Sequence, residues 1–161
     1  MRRDGSLSLR RVRVLRGGRY RTLRAPLERL PLLVRAGAVI PLLPADVDTL
    51  APYRGKGVVR LADRRGAMQL LAFPRGRSTA GMGERPERLR SVEGAPGWRL
   101  TIRGKRARRY SLQASLHTLR RPFAPRSVTV AGRPLRSWRY DPATGVLRAS
   151  FRLRSGTLAV R

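Results

Sequence analysis

The chain has 161 residues, 37 Lys and Arg against nine Asp and Glu, a net charge of +28 and no cysteine. The missing thiols exclude disulfides, thiolate metal sites and thiol catalysis. The charge favours contact with anionic polymers of any kind. Only Lys56 and Lys105 are lysines, so the basic excess is almost wholly arginine, as GC-rich coding alone would produce; the shortage of acids has no such explanation.

The opening "MRRDGSLSLRRVRVL" lacks the continuous apolar core of a signal peptide and moves straight into a strand-like alternation. The expectation is that the chain starts inside a larger fold. No run reaches the roughly 18 apolar residues of a spanning helix. Residues 30–44, "LPLLVRAGAVIPLLP", are the most apolar stretch. They read as two short strands covered on both faces, with Gly37 at a bend and Pro41 at an edge or bulge, where its missing N–H is tolerated. Arg35 would then need an ion pair or carbonyl partners, since an unpaired buried guanidinium is costly. Because consecutive strand residues point to opposite faces, Leu32, Leu33, Val39, Ile40 and Leu42 should form a surface that the chain cannot cover alone.

A change of composition over "DTLAPYRGKG", 48–57, marks a boundary. Asp63 and Gly66 bracket a turn. Residues 76–97 read as a long loop with one short strand at "RLRSVEG". Strict period-two alternation follows, which is the signature of half-buried strands. Trp98, Leu100 and Ile102 form one run, Tyr110, Leu112 and Ala114 a second. Val128 and Val130 form a third, and Leu147, Ala149, Phe151 and Leu153 a fourth. Gly132 with Pro134, and Asp141-Pro142 with Gly145, supply turns. "ASLHTLRR" holds at most one helical turn. The pattern predicts an all-β chain: an antiparallel β-sandwich preceded by a partial β-sheet, with little helix.

The segment "APLERLPLLVRAGAVIPLLP", through Ala25, Pro26, Leu27, Arg29, Pro31, Val34, Arg35, Gly37, Ile40 and Pro41, resembles the stretch just after the catalytic barrel in glycoside hydrolase family 31, the α-glucosidase and α-xylosidase family. The resemblance implies a proximal β-sheet remnant over 1–50 and a distal C-terminal β-sandwich over 51–161. It implies a non-catalytic region whose partner is a (β/α)8 barrel. That family hydrolyses O-glycosidic bonds with barrel carboxylates, so it carries no catalytic residue onto this chain.

The residues themselves agree. Glycoside hydrolysis needs two carboxylates flanking a cleft. Asp46 and Asp48 share a face if extended but read as solvated turn residues or arginine partners, and Glu84 and Glu87 as solvated loop residues. His117 is the only histidine, with no neighbouring carboxylates for a metal site, and Ser111, His117 and Asp141 lack the context of a triad. No metal or cofactor is expected, and Arg35, Gly37 and Pro41 are structural candidates. Two other readings remain: a stand-alone basic protein binding nucleic acid or acidic polymers non-specifically, and a carbohydrate-binding module. The first would want aromatics interleaved with arginine for base stacking, yet Trp98, Tyr110 and Phe151 fall on the apolar faces. For the second, Trp138 is the remaining platform candidate.

Overall fold

The computed structural model describes residues 14–15, 17–18, 20, 22–24, 26–28, 32–52, 55–83, 86–95 and 97–161. The strand-like opening 1–13, the motif residues Ala25, Arg29 and Pro31, and Asp4 and Glu84 lie outside them. The described chain is all-β, with nine strands in one open sheet and two short 3-10 turns. The strands are β1 (Val39–Leu42), β2 (Ala67–Ala72), β3 (Arg77–Gly81), β4 (Arg88–Gly94), β5 (Gly97–Ser115), β6 (Val128–Val130), β7 (Arg133–Pro134), β8 (Trp138–Asp141) and β9 (Val146–Val160). The 3-10 turns cover Leu61–Arg64 and Leu116–Thr118, the second inside "ASLHTLRR".

Two long antiparallel strands, β5 and β9, carry everything else. The runs ending at Arg103 and starting at Arg109 are one strand, interrupted by a bulge. Residues 104–107 of β5 stand opposite the single Arg154 of β9. Such insertions bend and re-aim a strand, and here they divide the sheet into halves. In one half, β2 flanks β5 and β8 flanks β9, with β1 outside β2. In the other, β4 flanks β5 and β6 flanks β9, with β3 and β7 outside them.

Leu70, Tyr110, Leu112 and Phe151 from the first half meet Leu89, Trp98, Leu100 and Leu158 from the second in a single core. The sheet therefore doubles over at the bulge, as a sandwich does. Strands β1 and β3, from opposite halves, touch. The alternating residues fill the core as their period requires. Trp98 and Tyr110 are fully buried, and the Trp98 indole donates to Ser91 Oγ at 2.8 Å, which satisfies its only polar atom.

Three features depart from the sequence expectation. Pairing of β2 with β5 is parallel, because the β3–β4 hairpin lies between them in the chain and serves as the crossover that parallel neighbours need. Residues 77–81 are a strand rather than loop; β3 lacks apolar alternation because it pairs only with β4. Described residues 32–34 form no strand, and Leu32 and Leu33 are open rather than covered on two faces. Only the "VIPL" half of the apolar segment finds a partner, and β1 joins β2 across position 50.

Candidate docking surface and the fate of the charged residues

The segment before β1 is fixed by its backbone. The Gly37 N–H donates to Phe73 O at 2.6 Å, the Phe73 N–H to Ala38 O at 2.8 Å, and the Ala38 N–H closes a turn on Arg35 O at 3.1 Å. The Ser78 hydroxyl donates to Gly37 O. Gly37 has φ +99°, and a Cβ there would sit 3.0 Å from the Arg75 carbonyl oxygen. The backbone thus needs glycine both for its conformation and for the approach of the loop after β2.

Pro41 lies in β1, the outermost strand beside β2, opposite Leu70. Hydrogen-bonded pairs alternate along an antiparallel ladder. Counting from the Phe73–Ala38 bond, Ile40 and Leu42 bond to β2 and the Pro41 nitrogen faces away. Arg35 is exposed, in the turn before the strand. The demand for a buried partner disappears, because residues 32–35 are not covered on either side by a strand.

Of the five apolar residues expected to be uncovered, Val39 is buried and Ile40 and Leu42 are half-buried. Leu32 and Leu33 are 67% and 68% exposed, and Leu50, not singled out from the sequence, is 71% exposed. Leu27 and Leu43 are exposed as well. Within 27–50 the described chain thus displays five open leucines. Isolated surface leucines need no explanation, and these five stand out by falling within one segment of 24 residues.

The carboxylates are engaged in holding this chain's own loops. Asp46 accepts from Arg64 Nε at 2.6 Å, and that guanidinium holds its carboxyl below the usual range. Asp63 takes two bonds from the Arg60 side chain, at 3.0 and 2.8 Å, and one from its backbone N–H; together they lower its pKa to about 2. Asp48 caps the Val59 N–H at 2.8 Å, so Asp46 and Asp48 serve separate partners. Glu93 receives the N–H groups of Gly76 and Arg120 at 2.7 and 2.6 Å, tying two loops to the end of β4. Asp141 closes its own turn through the Ala143 N–H and the Thr144 hydroxyl, chiefly the latter lowering its pKa.

Glu87 corrects the sequence reading most sharply. It is not solvated but 3% exposed. Arg108 grips it with two bonds, 2.7 and 2.8 Å, and the Lys105 N–H adds a third at 2.6 Å. This pair clamps the bulge of β5 to the start of β4. The only clue in the sequence was an acid placed one residue before a strand, facing an arginine-rich break in another.

His117 is exposed, its ring lying over Gly145. Ser111 faces out from β5, and with Asp141 committed to its turn the three form no relay. Trp138 is half-buried, packs against the core and also borders a groove beside β8. Among the described residues no three His, Asp or Glu side chains are grouped to hold a metal ion, and no helix is long and apolar enough to cross a membrane.

No family model matches the sequence, and no curated protein sequence matches it. Solved structures do match the fold. Two are of the family 31 dextranase of Flavobacterium johnsoniae, one a mutant complexed with isomaltotriose and the other complexed with glucose. Each gives a TM-score of 0.55 at 11% identity over 80% of this chain. The fold resembles part of a family 31 glycoside hydrolase. This chain covers 19% of the dextranase, so the likeness concerns one β-rich portion of that enzyme. At 11% identity it speaks for the fold alone.

Proposed function

We propose that the chain is the non-catalytic β-sandwich region of a family 31-like glycoside hydrolase, and that it braces a catalytic (β/α)8 barrel. The observation that carries this reading is the fold likeness, which takes in most of this chain and under a fifth of the dextranase. A barrel of that kind occupies about 250 residues of alternating strand and helix, and the described residues contain no such unit. In this reading, residues 1–50 belong to a sheet next to the barrel and 51–161 to the distal sandwich. The open leucines at 27, 32, 33, 43 and 50 are the contact face. Burying a leucine gains roughly 1.5–3 kcal/mol, so three that are two-thirds open offer about 3–6 kcal/mol to a partner.

The test is light scattering of the purified chain at moderate salt, with a Leu32→Ser, Leu33→Ser, Leu50→Ser variant beside it. The wild type should self-associate and the variant should be monomeric. A wild-type chain that stays monomeric at high concentration would overturn the bracing role.

A further inference from the structure

We propose that the cavity beside the turn between β4 and β5 is a binding site for a flat aromatic carboxylate. Three segments meet there: the turn at 94–97, Arg161 just past β9, and residues 119–126. They enclose about 930 Å³, towards the upper end of the range for small-molecule sites. The walls are apolar. Leu119 is buried and Phe123 half-buried against the core, and Pro122 and Pro125 frame the phenylalanine.

The cavity is held open by its own backbone. Arg126 and Ser127 donate their N–H groups to Arg161 O at 2.5 and 2.9 Å, and the Arg161 N–H returns to Ser127 O at 3.0 Å. Glu93 holds the other end of the same segment through the Arg120 N–H. Between these anchors two prolines fix φ. Gly97 has φ +109°, and a Cβ there would run into the Val160 carbonyl, so glycine is what lets the turn close on β9. A concavity already formed spends little binding energy on ordering itself.

Arginines cover the whole surface and do not single out this place; the apolar concavity does. What the arginines decide is the sign of the ligand. Arg120, Arg121, Arg126 and Arg161 line the cavity with one side-chain carboxylate, Glu93, whose oxygens are taken by the N–H groups of Gly76 and Arg120. The rim therefore favours an anion through the sum of its charges, whatever partner each guanidinium finds. Arg121 and Arg126 are exposed and flank the two prolines, where their forks suit a carboxylate. The ring of the ligand then packs inside on Phe123. A flexible acyl anion fits less well, because proline and phenylalanine walls cannot adapt to it and its rotors must be frozen.

The full chain should be titrated with naphthoate, its neutral counterpart naphthalenemethanol, and laurate, at about 150 mM salt, where attraction beyond ~8 Å is screened. Naphthoate should bind saturably and more tightly than either. The amide resonances of Gly97 and Ala124 should move while the indole N–H of Trp138, at the other groove, stays. Arg121→Ser with Arg126→Ser should weaken naphthoate by about tenfold or more and leave naphthalenemethanol within about twofold. Arg139→Ser with Arg148→Ser, remote from the cavity, should change naphthoate by less than about twofold. Ala124→Trp, which fills the cavity from an exposed lining position, should abolish binding, and it keeps the test decisive if the arginine variant fails to fold. Equal losses in both arginine variants, equal or tighter binding of the alcohol or of laurate, full binding by Ala124→Trp, or no saturable binding would each overturn the proposal. A monomeric chain in light scattering would overturn the bracing role and leave this one standing.

Discussion

Replacing Glu87 by glutamine turns a clamp into a liability. Both oxygens of Glu87 accept from the Arg108 guanidinium, and one also accepts the Lys105 N–H. The amide of glutamine keeps one acceptor and turns two donors on a ring of donors. Arg108, 7% exposed, is then a buried cation without a counter-charge. Breaking a buried pair from one side costs about 3–5 kcal/mol. With a urea m-value of 1–3 kcal/mol/M, the midpoint of unfolding should fall by roughly 2 M.

The clamp should also be recoverable by removing both charges, since apolar replacement of a whole buried pair is near neutral. Glu87→Leu with Arg108→Met should therefore unfold close to wild type, with a coupling of about 2 kcal/mol or more in the double-mutant cycle. The pH dependence has a definite sign. Hydrogen bonding from Arg108 is the main cause that holds the Glu87 carboxyl below 4.5. A carboxyl depressed by folding contributes fully above its unfolded value and loses that contribution as pH falls through the folded one. Wild type should lose stability below about pH 4.5, and the apolar double variant should lose less. A midpoint for Glu87→Gln within ~0.3 M of wild type in urea, or single effects that simply add in the double variant, would refute the clamp.

Three further outcomes are expected. Gly37→Ala should cost about 1–3 kcal/mol in chemical unfolding, because it forces a side chain into a left-handed conformation against the Arg75 carbonyl. Asp63, with its pKa lowered from 3.8 to about 2 by Arg60, should keep the 61–64 turn closed above pH 3.8 and release it as pH falls towards 2, visible as chemical-shift changes confined to that turn; unchanged shifts in Asp63→Asn relative to wild type at pH 6 would count against it. The purified chain should not hydrolyse aryl α-glucosides, α-xylosides or α-galactosides, and activity abolished by a single Asp or Glu substitution would contradict that.

Local patterning made the strands legible and left their partners hidden. The runs around Trp98, Tyr110 and Phe151 alternate strictly because one face of each meets the core. That the first two are a single strand was invisible, since the bulge at Gly104–Ala107 puts its one apolar residue, the exposed Ala107, out of step with the period. Strand β3, at the sheet's margin, has little to bury and left no pattern. The parallel union of β2 and β5 is a matter of chain routing, which no window of sequence contains. At the candidate sites, Leu32 and Leu33 were readable as unpartnered because they are adjacent and apolar. Glu87 was not readable, since an acid among Gly, Pro and Arg looks solvated until its partner, 21 residues away, is brought to it. The nearness of Arg139 and Arg148 was hidden for the same reason, since they become neighbours only through strand pairing.

The pairing of β5 with β9 has a consequence for synthesis. When β5 has left the ribosome, its long central partner is still roughly forty-five residues from completion, which is several seconds at ordinary elongation rates of ~5–20 residues per second. For that interval a 19-residue strand has one edge without its native neighbour, the situation in which strands of different chains join. Arginines at 99, 103, 106 and 109 recur along it. Two nascent copies meeting there would stack like charges against each other, so the same residues that crowd the finished surface with positive charge keep the unfinished strand apart from its copies.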